Sequence, residues 1–464
     1  SAGFVDPSTF FPALDEPNPA APFIPSVSST EIESALWSYF ANVQYDYDGR
    51  FGLDLTLRRD GTSRFQEENR WGTFFSAGGR WNIDKESFMD SVDWVDALKL
   101  RGSYGQTGNQ NIGFFAGFQT IAGGNGFQNA PILSVNTLSD TNIQWETTTQ
   151  ANIGVDFGLF QNKLTGSLDV YNKETEDLLF PFNISPAGTG FGNVTTNVGD
   201  MRNSGVEVQL SYDILRKTAD NPWSINIFGN FAYNENEILS VNNEQGFIGG
   251  TVRQAEGRRA FSYFYQRWAG VDPSNGQALY LDAEGDLTTD YDPDANGVYV
   301  DKQLDPVYTG GFGTNISWKG FSLNALFSYA ADTWRANGTY AITEDASLAG
   351  FANQNVSMLD AWQQPGDVTA IPSLAFGGLR FESGDRYLED ASFLRLRNVV
   401  LAYTVDKETL DKIGFFSNVR VYAQGTNLVT WSKWRGFDPE TNDTNDFFNF
   451  PQATTVSFGV DITF

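Results

Sequence analysis

The last eleven residues read Thr454-Thr455-Val456-Ser457-Phe458-Gly459-Val460-Asp461-Ile462-Thr463-Phe464. Val456, Phe458, Val460, Ile462 and Phe464 fall on one face at a period of two, and Thr455, Ser457, Gly459, Asp461 and Thr463 on the other. A sandwich strand of a soluble protein alternates in this way too. In a membrane barrel the cause differs: the apolar face meets lipid and the polar face a wet lumen. A terminal aromatic on the apolar face fits the barrel.

The same alternation recurs in Phe51–Leu57, Leu164–Tyr171, Trp223–Phe231 and Phe321–Phe327. Such runs extend to about ten residues, the length that crosses a bilayer at a tilt, whereas strands of soluble proteins average five or six. Trp37, Tyr39, Trp71, Trp81, Trp318, Trp334, Trp431 and Trp434 stand near the ends of these runs, as interfacial girdles require. Helical periodicity is scarce, and Lys85–Leu98 is its best candidate.

Composition narrows the function. The chain has 464 residues with no Cys and no His, which removes disulfides, thiol chemistry, His-based zinc sites and Ser-His triads. Net charge is -27, from 57 acidic and 30 basic residues, so no nucleic-acid partner is expected. The longest stretch free of Asp, Glu, Lys and Arg, Gly102 to Ser139, is rich in Gly, Asn and Gln and reads as loop, not as a spanning helix.

Counting strands backwards from Phe464 gives about fifteen, alternating in direction, with short turns such as Asp48-Gly49, Gln161-Asn162, Asp272–Gly276 and Lys319-Gly320 at the periplasmic end. Long connections, among them Asp332–Asp390 and Lys433–Pro451, fall at the extracellular end. Complete bacterial barrels have even counts. The odd count therefore places residues 1–34, rich in Pro, Ala and Ser, in an extracellular loop. Residues 35–464 are expected to be the C-terminal part of a larger barrel that lacks about seven strands here.

Several segments resemble the SusC/RagA family of TonB-dependent outer-membrane transporters of Bacteroidetes. They are Arg58–Phe65, Leu100–Gly113, Asn197–Glu207, Tyr308–Phe312 and Ser392–Asn398, in the family's order. The resemblance implies a transmembrane antiparallel β-barrel of about twenty-two strands, the size class of plugged transporters. It also implies a plug, a TonB box and an N-terminal domain preceding this region, none of them visible in this chain. Implied partners are outer-membrane lipid, TonB through that N-terminal region, and a SusD-like surface lipoprotein that lids the barrel. The implied function is import of a large nutrient, an oligosaccharide or oligopeptide. The alternative is a SusC-like barrel serving as a non-transporting subunit of an outer-membrane assembly or secretion complex.

No enzymatic constellation is found, since carboxylates such as Asp60, Glu67 and Glu68 lack a distinctive acid-base partner. Asp292-x-Asp294-x-Asn296-Gly297 has the opening spacing of a calcium loop. Its twelfth position is Gln303, not Glu, and Asp290 or Asp301 would have to substitute. The competing reading is an Asx-rich turn. Strict alternation puts Arg395 and Arg397 on the face of Phe393, Val399 and Leu401. Guanidinium groups are costly in lipid, so both are expected in the lumen against acidic residues. Phe114, Phe115, Phe118 and Phe127 are expected to pack on each other, with stacking on sugar rings or packing on a lid as the other readings.

Overall fold

A computed structural model describes residues 32–127, 130–241, 247–249, 251–376, 384–441 and 443–464, so the reading of residues 1–31 as loop lies outside the described residues. Leu36–Phe464 is one compact unit. Its frame is a sheet of thirteen antiparallel strands, each hydrogen-bonded to its neighbours in the chain. They are β1 Leu36–Tyr47, β2 Phe51–Thr62, β3 Trp71–Asn82, β4 Val95–Asn109, β5 Glu146–Leu159, β6 Leu164–Glu176 and β7 Asp200–Leu215. There follow β8 Trp223–Ser240, β9 Tyr308–Trp318, β10 Phe321–Ala331, β11 Phe393–Thr404, β12 Asn418–Ser432 and β13 Thr455–Thr463.

Tight turns gather at one end because the sequence supplies left-handed residues there. Asp48 and Gly49 have φ of 55° and 64°, and Lys319 and Gly320 have φ of 45° and 89°. Positive φ at both central residues matches the twist of the two strands being joined. The Asp46 carboxylate accepts the Gly49 N–H at 2.8 Å and fixes the first turn.

Register makes one face continuous. Directly opposed residues share a face. From the short-turn end, Trp223 opposes Trp318, Trp318 opposes Phe321, and Phe321 opposes Tyr403. Further along β8, Ile227 opposes Thr314 and Tyr212, and Tyr233 opposes Tyr308 and Val206. On the last pair, Val421 opposes Val460 and Ala423 opposes Phe458, while Arg420 opposes Asp461 and Gln424 opposes Ser457. Val456, Phe458, Val460 and Phe464 are exposed, as a lipid-facing row must be in the protein alone. Stacked aromatics bound this face at both ends. Trp223 stacks on Trp318 at the short-turn end, and Tyr39 on Trp71 and Phe231 on Tyr308 at the other. Of the expected girdle residues, Trp37, Tyr39, Trp71, Trp81, Trp318 and Trp431 stand at strand ends, whereas Trp334 and Trp434 belong to the long connections, Trp434 buried there.

Three details differ from the sequence expectation. Phe261–Gly270 and Gln277–Leu281 do not cross. They contain the strands Ser262–Tyr265, Trp268–Val271 and Ala278–Leu281, each of four residues, too short for a crossing of about 9–11. They lie in the connection from β8 to β9, so the turn Asp272–Gly276 belongs to the long-loop end. Two consecutive runs drop out, and the count stays odd. Lys85–Leu98 is not a helix. Ile83–Lys85 and Ser87–Met89 are single 3-10 turns, and β4 begins at Val95.

A bulge corrects the third detail. Phe327 opposes Leu396 but Leu326 opposes Asn398, so Arg397 is an extra residue in β11. Strict alternation would have forced Arg395 and Val399 onto one face. The bulge lets Val399, Leu401 and Tyr403 meet lipid while Arg395 turns inward. Arg395 is 2% exposed and pairs with Asp438, with Glu440 at 3.5 Å. Arg397 donates to Glu440 at 2.8 Å, to the Ser328 hydroxyl at 2.8 Å and to the Gln452 side-chain oxygen at 3.1 Å. The connection 433–454 is thereby fastened to the inner wall.

Burial pushes the Asp438 carboxyl up. The Gln452 N–H, the Arg395 guanidinium and the Glu440 N–H outweigh that and hold it below the usual carboxylate range.

Three outcomes follow from this geometry. Ile227→Arg, at the middle of the lipid face, should cost about 2–4 kcal/mol of folding in bilayers, whereas Gln209→Arg on the inner face should cost little; urea unfolding in vesicles measures both. Asp438→Ala should leave Arg395 buried with only Glu440 near it, a loss of up to roughly 3–5 kcal/mol. Trypsin cleavage at Lys433 and Arg435 should then quicken by about tenfold or more if cleavage tracks the open population. In the wild type a depressed Asp438 pKa contributes stability above the unfolded value of about 3.9 and loses it as pH falls through the folded value. Cleavage by an acid-tolerant protease should therefore match at pH 5 and 7 and rise only well below pH 3.9.

Candidate functional site

The inner face opposite the lipid row is mostly polar because most inward positions of the strands are polar, with exceptions such as Phe228, Leu326 and Val400. Its charges are cross-linked along the wall. Arg101 on β4 bridges Asp156 on β5 at 3.1 Å and Asp169 on β6 at 2.5 Å, and Lys99 reaches Asp156 at 2.7 Å. Arg80 pairs with Asp46 near the short-turn end, and Arg420 with Asp461 at 2.9 Å. Arg58 pairs with Asp60 at 2.7 Å near the long-loop end. These pairs neutralise charge in place without removing hydrogen-bonding capacity. Beside them a hollow of about 720 Å³ runs along β2 to β5, lined by Asp54, Thr56, Arg58, Ser76, Gln106 and Gln150.

The long connections build a layer over this end. Trp334–Asn337, from the connection β10 to β11, pairs antiparallel with Leu388–Asp390 and parallel with Asn445–Asp446. Tyr263, from the connection β8 to β9, donates its hydroxyl to the carbonyls of Trp334 at 3.1 Å and Thr444 at 2.9 Å. Its burial pushes the phenol pKa well up. Two small cores hold the layer, Val252 with Tyr263, Tyr265 and Leu304, and Ala341 with Ala361, Ile371 and Tyr387. Glu344 is buried beside the second core and accepts from Ser357 at 2.7 Å, Tyr387 at 3.0 Å and Arg386 at 3.2 Å. Three connections therefore behave as one body. Nothing local in the sequence signals partners this distant.

The residues singled out for calcium are not assembled into a ligand set. Pro293–Asn296 is a short helix, and Asp292 caps it, accepting from the N–H of Asp294 at 3.2 Å and of Ala295 at 3.0 Å. Asp294 turns outward to Arg253 at 3.2 Å. Asn296 accepts from the Ala283 N–H at 3.4 Å, and Asp301 pairs with Arg258 at 2.9 Å. Pro293 explains the outcome, since its fixed φ starts a helix there and turns Asp292 into a cap. Among the described residues no three acidic side chains are placed to hold a metal ion.

The Phe-rich loop behaves differently from the expectation as well. Phe114, Phe115 and Phe127 remain exposed, with the Arg64 guanidinium 4.7 Å from the Phe114 ring. The buried cluster at this loop is instead Ile112, Ile143, Phe65, Phe74 and Trp145.

Residues 3–319 match the family model described as TonB dependent receptor-like, beta-barrel. A TonB-dependent receptor of Formosa agariphila is 31% identical, over 93% of this chain and 46% of its own length. The TonB-dependent receptor SusC of Bacteroides thetaiotaomicron is 30% identical, over 93% of this chain and 44% of its own. The RagAB peptide transporter superposes with a TM-score of 0.86 at 31% identity, over 93% of this chain and 48% of that one. The chain thus spans a little under half the length of the relatives it matches. With one lipid-facing row, one ion-paired inner wall and this likeness across nearly its whole length, the chain belongs to the TonB-dependent receptor-like β-barrel family, in its SusC/RagA branch.

Proposed function

We propose that this chain supplies barrel wall and loop layer to an outer-membrane, TonB-dependent importer of a large nutrient, an oligopeptide or oligosaccharide. The observation that carries the reading is the polar inner wall behind a lipid-facing skin, on a fold that superposes closely on a peptide transporter. Charges paired within the wall reduce the number of fixed, unbalanced ions that a polar solute meets. The outermost strands of the sheet, β1 and β13, are not paired with each other among the described residues. Open edges are not sustained in hydrocarbon, so further strands complete the barrel. In this reading the long connections face outward from the cell and carry a SusD-like lipoprotein lid.

The lid contact is assigned to the connection 332–392. Phe351 is 92% exposed and Val368 90%, with Val356 and Leu359 also exposed beside the fixed loop cores. Apolar side chains this exposed on an ordered layer mark an interaction surface.

Two measurements test the reading. Uptake of labelled oligopeptides and oligosaccharides should fall to background both on deletion of the gene and on loss of TonB. Undiminished uptake after deletion, with assembly or secretion proteins recovered alongside, would favour the non-transporting role instead. Phe351→Asp together with Leu359→Asp should lower recovery of a SusD-like lipoprotein about tenfold or more, as expected when an interface of about 1,000 Å² or more loses central apolar contacts. Urea unfolding of the barrel should stay unchanged.

A further inference from the structure

Up to and including the aromatic ring at the long-loop end, the outward positions of the described strands carry one charged side chain, Arg59. The register fixes its direction. Arg59 opposes Tyr39 on β1 and Thr73 on β3, and the next outward pair joins Gly61 to Trp37 and Trp71. Outward charges elsewhere on β7 and β8 lie beyond Tyr233, where Arg202 pairs with Glu237 and Glu235 accepts from the Tyr233 hydroxyl.

Arg59 has no such partner. Asp60 faces inward and is taken by Arg58 at 2.7 Å. Among the described residues no carboxylate comes within ion-pair distance of Arg59, which lies exposed with its guanidinium carbon 5.4 Å from the Trp71 ring centre. The platform around it is built. Tyr39 stacks on Trp71 at 6.2 Å between ring centres. Trp71 lies flat across Gly61, where a Cβ would meet its ring carbons at 2.8 Å. Any residue but glycine at position 61 would push that ring away from Arg59.

A cation on the lipid face at the level of the aromatic ring needs a counter-ion, and the described residues offer none. The membrane offers phosphate. A planar guanidinium donates two parallel hydrogen bonds to phosphate oxygens, while the flanking indole and phenol rings cover the top of an acyl chain. We propose that Arg59, with Trp37, Tyr39 and Trp71, forms a binding site for the phosphate headgroup of a membrane lipid. The ligand chemistry is shared by lipid A and by anionic phospholipids.

Native mass spectrometry of the whole protein, delipidated and then supplied with one lipid at a time, tests the site. The probes are bisphosphorylated lipid A, phosphatidylglycerol and the phosphate-free monogalactosyldiacylglycerol. Arg59→Gln should weaken binding of at least one phosphate lipid about fivefold, the scale of one basic side chain at an anionic surface. Arg59→Lys should restore part of it, and the galactolipid should bind wild type and variants alike. A loss confined to lipid A identifies that source, and a loss shared with phosphatidylglycerol assigns the site to anionic headgroups generally. Thr73→Glu, which places a carboxylate opposite Arg59, should reproduce the loss with the arginine intact and covers the case in which Arg59→Gln folds poorly. Unchanged binding of both phosphate lipids in Arg59→Gln, or in Thr73→Glu where Arg59→Gln does not fold, overturns the proposal. So does an equal loss of the galactolipid.

Discussion

A peptide group inside hydrocarbon has no water to bond to, and every other feature of this chain answers that constraint. Thirteen strands satisfy it by bonding to their neighbours in chain order. Pairing in order needs only a short turn at one end. The other end is then free to carry connections of any length, which is where the chain puts its folded loops. Side chains inherit the same division, since a strand held on both sides has only an outward and an inward direction left to it.

The frame was legible because the constraint acts at period two. Val456 to Phe464 declares its two faces without help from distant residues. The loop strands were legible as strands but not as members of a sheet. Ser262–Tyr265 has the aromatic content of a strand, and its length of four residues excludes a crossing. The spacing Asp292-x-Asp294-x-Asn296 has the look of a cation loop because cation loops and helix caps use the same short acidic side chains. Pro293 decides between the two geometries, a clue present in the sequence but carrying little weight in a pattern built on the acids. The joining of Tyr263 to Thr444, or of Trp334–Asn337 to Asn445-Asp446, could not be read locally. Such contacts depend on which strands bring the loops together.

The loop layer changes what the connections are. A loop on its own moves with its own hinge. Here Tyr263, Trp334 and Thr444 belong to three connections and share two hydrogen bonds, and Arg395 and Arg397 tie one of them to the wall. Motion of any part of this layer against the barrel therefore has to be collective or has to break those bonds. A lid seated on it would meet a rigid floor, which lowers the entropy lost on docking.

The bulge at Arg397 also limits how this chain can change over generations. Substitutions leave the phase of a strand alone, but a one-residue deletion or insertion shifts it. Straightening the strand with residue 397 kept in the ladder would bring the guanidinium of Arg395 into phase with the oily row of Val399 and Leu401, whereas loss of residue 397 would leave Arg395 inward with Asn398 and Val400. An extra residue placed between 398 and 404 would turn part of that row toward the lumen. Away from position 397, length variation in this strand is tolerable only in steps of two, or in compensating pairs with β10 and β12. Drift can move the chemistry of the wall freely, while the phase of its two faces depends on one supernumerary arginine staying outside the ladder.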